Sequence, residues 1–290
     1  MTENQKQDQS AQVGNRSKDV PWYSKDIQNA TPQARELLER YSNIPPEKVD
    51  AHLLEVRDKA WEIFPYPCVG MFRFLDLNMC NQPYYPEVLE RVKNGEKVLD
   101  IGCCFGQELR KLAHDGAPVS SLYGSDLRPE FLSLGHTLFL DEATLPLDSH
   151  FLAADMLSPS ALSATPLAPL ASRISIVHAS SFFHLFPRAD QLRAALRLVE
   201  LLVPERGATV VGRQVGSPEP GPRGEHGRWM HDAASWRALW DEVGESTGSR
   251  WEVKEARLEK ADLEGVSPEL LKARGGEWAW WLRWWVVRVE

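Results

Sequence analysis

Cysteine is scarce in this sequence, with Cys68, Cys80, Cys103 and Cys104 the only four in 290 residues. None stands in a C-x-x-C spacing, and the adjacent pair is badly placed to close a small bridge or to hold zinc, so no metal is expected and a reduced, intracellular setting suits the chain. Basic clusters are missing too. Lys and Arg total 33 against 41 Asp and Glu, a formal charge of -8. That balance argues against a nucleic-acid partner, because phosphate binding draws most of its affinity from clustered cations. No run of about 18 apolar residues offers a membrane span. The opening MTENQKQDQSAQVGNRSKD lacks the apolar stretch of a secretion signal. The expectation is a soluble, cytoplasmic protein, a monomer or homodimer, acting on a small molecule.

What is present is enough apolar residue, 43%, for one large domain with an N-terminal elaboration. Residues 1–20 are polar and read as a disordered tail, unable to offset their ordering entropy. Residues 21–83 read as a helical cap. One helix is predicted from Thr31-Pro32, with threonine as N-cap and proline in the first turn, and another from Pro46. In the second, Val49, Leu53, Val56, Ala60 and Ile63 recur at helical spacing on one stripe. From about residue 84 to 290 short apolar runs alternate with helices, the pattern of a mostly parallel, doubly wound α/β sheet covered on both faces. Strands are predicted at Lys97–Ile101, Leu122–Ser125, His150–Ala153, Ile174–His178 and Ala208–Gly212, with helices at Gln107–His114, Pro129–Asp141 and Gln191–Val203. The stretch 158–171 reads as a loop with broken helical turns, and 215–228, rich in glycine and proline, as a long irregular loop. The Trp-rich run WAWWLRWWVVRVE reads as a strand wanting cover on both sides.

The strongest local signal is Val98-Leu99-Asp100-Ile101-Gly102-Cys103-Cys104-Phe105-Gly106, a strand running into a tight turn and a helix. Glycine there reaches positive φ cheaply and lets backbone approach a ligand, and Asp100 at the strand end can accept from an ammonium group. The second strand ends in Ser125-Asp126-Leu127, where a carboxylate can take the hydroxyls of a ribose. The third ends in Ala154-Asp155-Met156, suited to an adenine amine and ring. Three successive strands each end in an acid, at the carboxyl edge where open sheets bind ligands.

The succession LDIGCCFG, YGSDL and LAADM resembles the cofactor motifs of class I S-adenosylmethionine methyltransferases. The resemblance covers the chain from about residue 84 and implies a seven-stranded sheet with a reversed last strand. It implies S-adenosylmethionine as cofactor, with Asp100, Gly102, Cys103 and Gly106 at its methionine end. Asp126 and Leu127 would then meet its ribose, and Ala154, Asp155 and Met156 its adenine. One departure stands out: Cys104 occupies a position where the family commonly has glycine, so a reshaped turn is expected. More narrowly, PYYPEVLERVKNGEKVLDIGCCFGQELRKLAHDGAP, SSFFHLF and VGRQVG look like fungal methyltransferases of meroterpenoid clusters, which methylate a carboxyl group of a prenylated polyketide.

On the substrate side, His184 in SSFFHLF is a candidate for orienting the acceptor, and His178 a lesser one, although a lone histidine near aromatic residues is more often a hydrogen-bonded structural residue. Arg73 and Arg213 can hold a carboxylate bidentately, or form structural ion pairs. Trp22 and Tyr23 are candidates to line an apolar pocket, or to pack the cap. The rival readings are a phenol or amine acceptor, and a degenerate fold that binds cofactor and regulates.

Overall fold

The computed structural model describes residues 16–27, 30–261 and 280–290. The cap begins with α1 (Pro32–Glu36), where Thr31 Oγ1 accepts the Ala34 amide at 3.1 Å. A π-helical turn, Leu37–Tyr41, continues it and buries Leu37 and Leu38. The second helix, α2 (Pro46–Ile63), buries Val49, Leu53, Val56 and Ala60, the stripe expected from the sequence; Ile63 is only half-buried. These side chains share one apolar cluster with Phe105, Phe131, Leu138 and Phe139 of the following domain.

The longer of the remaining helices are α3 (Tyr85–Lys93), α4 (Gln107–His114), α5 (Pro129–Phe139), α6 (Arg188–Leu201) and α7 (Ala233–Thr247). They cover a seven-stranded sheet of β1 (Val98–Ile101), β2 (Leu122–Asp126), β3 (Phe151–Ala153), β4 (Ile176–Ser180), β5 (Thr209–Val215), β8 (Trp251–Lys260) and β9 (Trp280–Arg288), ordered β3-β2-β1-β4-β5-β9-β8. The first five strands run parallel, and β9 is inserted antiparallel between β5 and β8. One face packs Leu99, Val177, Val210 and Trp284 against α6 and α7. The other packs Val98, Ile176 and Val211 against Val88, Val92, Leu109 and Leu112 of α3 and α4. Burial on both sides explains why these strands read as continuous apolar runs.

Two expectations need correction. Residues 1–15 lie outside the described residues, but the tail expected over 1–20 is docked from residue 16 on: Arg16 offers its carbonyl to Trp61 Nε1 at 3.0 Å, Lys18 pairs with Asp58 at 2.9 Å, and Val20 is buried. Its few apolar groups suffice because α2 supplies the rest of the contact. The loop over 215–228 contains regular structure: β6 (Gly221–Arg223) pairs antiparallel with β7 (Arg228–Met230). Glycine and proline sit at the turn and on an edge, where missing donors and positive φ cost little. Within 158–171 the chain makes two 3-10 turns, Leu162–Ala164 and Ala168–Leu170. Among the described residues no helix is long and apolar enough to cross a membrane.

Candidate active site

The turn from β1 into α4 is left-handed at alternate residues: φ is +62° at Gly102, +53° at Cys104 and +65° at Gly106. A Cβ on Gly102 would lie 3.0 Å from the Phe182 ring, and one on Gly106 would lie 2.5 Å from Arg110 Nη1. Cys104 takes the left-handed conformation despite its side chain, at a cost on the order of 1 kcal/mol. The departure from glycine therefore leaves the handedness of the turn intact. What the turn gains is a bond to the next strand. Cys104 N–H donates to Asp126 Oδ2 at 2.9 Å, while Arg128 N–H donates to Oδ1 at 3.0 Å. Burial pushes the Asp126 carboxyl above its ordinary pKa, against the pull of these two amides. The Cys103 side chain is buried, and burial drives its thiol pKa well up.

Beside Asp126, Leu127 is 59% exposed, an unusual state for a leucine at a strand end. Ala154 donates its amide to the Asp126 carbonyl at 3.0 Å, bringing the end of β3 alongside. Ala154 and Met156 are buried. Asp155 accepts the Leu157 amide on Oδ1 at 2.9 Å. Two neighbours had no sequence signal of their own. The Arg128 guanidinium lies 4.2 Å from the centre of the Phe64 ring of the cap, and Phe182 flanks Gly102.

Asp100 has a partner that spacing alone did not suggest. It is buried, and its Oδ1 lies 2.7 Å from His178 Nδ1. The two residues are directly opposite in the parallel pairing of β1 and β4, so their side chains share a face. His178 is fully buried, which removes it from the list of groups that reach a substrate directly. Glu108 of α4 completes the cluster. It is buried and receives the Met79 amide at 3.1 and 3.2 Å on its two oxygens.

Arg73 and Arg213, 140 residues apart, converge. Both Nη2 atoms bond to Asp76 Oδ2, at 2.8 and 2.9 Å, and both guanidinia lie over the Trp281 ring, at 5.0 and 4.4 Å. Two cations thus share one carboxylate at the edge between the cap segment and β5. Next to them Asn78 donates to Ser180 Oγ at 3.2 Å, at the end of β4. His184 is buried in the turn Phe183–Leu185 that follows β4. Trp22 and Tyr23 are placed elsewhere, within the cap's own packing. Trp22 is buried, and its carbonyl is so close to Gly70 that a Cβ there would clash at 2.3 Å. Tyr23 Oη donates to Asp58 at 2.6 Å, and its ring meets Trp61 edge-on. The aromatic pair serves α2 because that helix needs cover for Trp61.

The family profile "Meroterpenoid methyltransferase N-terminal domain" matches residues 22–75, the cap. Methyltransferase adrK of Penicillium roqueforti is 43% identical over 253 residues, covering 84% of this chain and 89% of its own. O-methyltransferase phiE of Fungal sp. (strain ATCC 74256) is 44% identical over 248 residues, covering 83% and 81%. Methyltransferase trt5 of Aspergillus terreus is 43% identical over 240 residues, covering 79% and 84%. Identity at this level over about four fifths of the chain shows that it belongs to the family of fungal methyltransferases that includes these three.

Proposed function

We propose that this methyltransferase transfers the methyl group of S-adenosylmethionine to a carboxylate oxygen of a small lipophilic natural product, a prenylated polyketide by family resemblance. The residues fit the cofactor. The turn is left-handed at 102, 104 and 106, and Gly102, exposed and without a side chain of its own, leaves its backbone open to a ligand. Asp126, already fixed by two amides, retains lone pairs for ribose hydroxyls, and exposed Leu127 offers an apolar contact beside it. Ala154 and Met156 supply an apolar seat for adenine, with Asp155 as acceptor for its amine. Bound there, S-adenosylmethionine supplies an electrophilic methyl group on a sulfonium. The protein's part is alignment and exclusion of water.

The observation that carries the carboxylate reading is the convergence of the Arg73 and Arg213 guanidinia on Asp76 beside the end of β5. A carboxylic acid of ordinary pKa near 4 arrives ionised and needs no base, whereas a phenol near 10 must lose its proton. Two guanidinia over one internal carboxylate orient an anion well. His184 then lines or orients and removes no proton, so His184→Gln should lower turnover about ten-fold or less, not the 10²–10⁴-fold of a lost general base. The test is mass spectrometry of a fungal extract incubated with protein and isotopically labelled cofactor, followed by mild alkali. Label lost as methanol identifies an ester; label that survives alkali identifies an ether or amine and overturns the carboxylate acceptor.

A further inference from the structure

His178, Asp100 and Glu108 form a buried trio just beneath the methionine end of the proposed cofactor site, and of the three only Asp100 has been given a part in holding the cofactor. The Nδ1 of His178 is committed to Asp100 Oδ1 at 2.7 Å. Its other nitrogen, Nε2, is buried with no hydrogen-bond partner among the described residues, and the residue is fully enclosed. The charged groups that face the ring are Asp100 from β1, Glu108 from α4 and Arg213 from β5. Burial alone would strip the imidazole of its proton. The Asp100 carboxylate, with Glu108 behind it, overrides this and holds the pKa above the ordinary histidine range, with Arg213 opposing.

We infer that His178 is a positioning residue that aims Asp100 at the ammonium group of the cofactor, and that it gives up a proton when the cofactor binds. The inference rests on the cofactor site proposed above. An imidazolium and an ammonium compete for the same carboxylate, so the arriving ammonium disfavours the charged ring. Neutral His178 still donates through Nδ1–H and keeps Asp100 in place. The proton leaves from Nε2, which holds no hydrogen bond to any described residue. The proton passes to solvent buffer as the site fills: the ammonium takes the imidazolium's place at Asp100, while the carboxylate that enters with it belongs to the same zwitterionic amino-acid end. In the free protein the charged ring serves a second purpose, since it keeps Asp100 from standing as a lone buried anion.

The experiment is calorimetric titration of the wild-type protein with S-adenosylhomocysteine, which has the ammonium but no sulfonium. Heats measured in two buffers of different ionisation enthalpy give the protons exchanged. Near pH 6.5 release of a large fraction of one proton is expected, with affinity tightening about ten-fold between roughly pH 5.5 and 7.5. Adenosine, which lacks the amino-acid half, should bind without release. His178→Gln should bind S-adenosylhomocysteine with no release and no slope against pH. Should that variant fail to fold, Glu108→Gln serves: losing an anion that raises the His178 pKa moves the release to lower pH. Binding with no proton released overturns the inference and leaves the cofactor site standing. Equal release with adenosine overturns it as well, moving the proton to the ribose side at Asp126. Failure of wild type to bind S-adenosylhomocysteine at all overturns the cofactor site and the inference together.

Discussion

His231 is fully buried among aromatic rings, with Nδ1 2.9 Å from Ser235 Oγ. Burial first, and then the charge of Arg188, hold its pKa down at about 4. The folded protein keeps this histidine neutral while the unfolded chain takes up a proton below about pH 6.5, so the contribution is complete above that pH and is lost as pH falls towards 4. Its size is about 3 kcal/mol. Urea unfolding of wild type and His231→Phe between pH 7 and 4 should give curves that converge by this amount as pH falls; parallel curves would remove His231 from the acid response. Asp126 carries a second expectation. Asp126→Ala should weaken S-adenosylhomocysteine about ten- to a hundred-fold, since a charge-assisted bond is worth about 1.5–3 kcal/mol, and unchanged calorimetric affinity in a folded variant would take Asp126 out of the site. The positions of Asp100, Asp126 and Asp155 at or just beyond strand ends were readable, because strand ends are visible as a change of pattern. The pairing of Asp100 with His178 was not, because it joins residues 78 apart through a strand register that one sequence does not reveal. For the same reason Arg73 and Arg213 were found separately and their shared carboxylate, Asp76, was missed.

At the scale of elements, the five parallel strands and α4 were readable to within a few residues because burial on both faces leaves long apolar runs. The β6–β7 hairpin was unreadable. Its pairing depends on distant support: Trp229 N–H donates to the Phe186 carbonyl at 2.9 Å, and Gln191 Nε2 donates to the Trp229 carbonyl at 2.8 Å. Strand β9 was legible as a doubly covered strand, and the structure shows why it must be. Leu282, Trp284 and Val286 are buried on the α6–α7 face, while Val287 is buried and Trp285 half-buried on the other. Because β9 lies inside the sheet, removing residues 280–290 should abolish soluble folding; a truncation that melts cooperatively and binds cofactor would show the strand to be peripheral. Trp284→Ala is a milder probe, expected to cost about 3–5 kcal/mol in denaturant unfolding.

Over the whole molecule, the cap and the α/β domain share one apolar cluster, and a polar link ties them as well. Tyr41 Oη donates to Asp141 Oδ2 at 2.8 Å, Arg110 bonds both oxygens of Asp141 at 2.9 and 3.0 Å, and the same Arg110 donates to the Phe105 carbonyl in the Gly-rich turn at 2.9 Å. Burial would raise the Asp141 pKa, but hydrogen bonds from His136 and Arg110 and the Arg110 charge bring it down to about 2. This link is therefore intact at any pH near neutrality. Calorimetry should show a single unfolding transition that S-adenosylhomocysteine moves upward as one, by about 2.7 kcal/mol at a hundred times its dissociation constant; separate transitions for cap and core would overturn the coupling. The insertion of β9 between β5 and β8 has a consequence for the chain as it is made. Ribosomes release β5 and then β8 before β9, so the parallel half of the sheet is complete while its edge at β5 still lacks a neighbour and β8 has nothing to pair with. During that interval Val210, Val211 and Val215 border an unpaired edge, the kind of surface that recruits chaperones or another nascent chain.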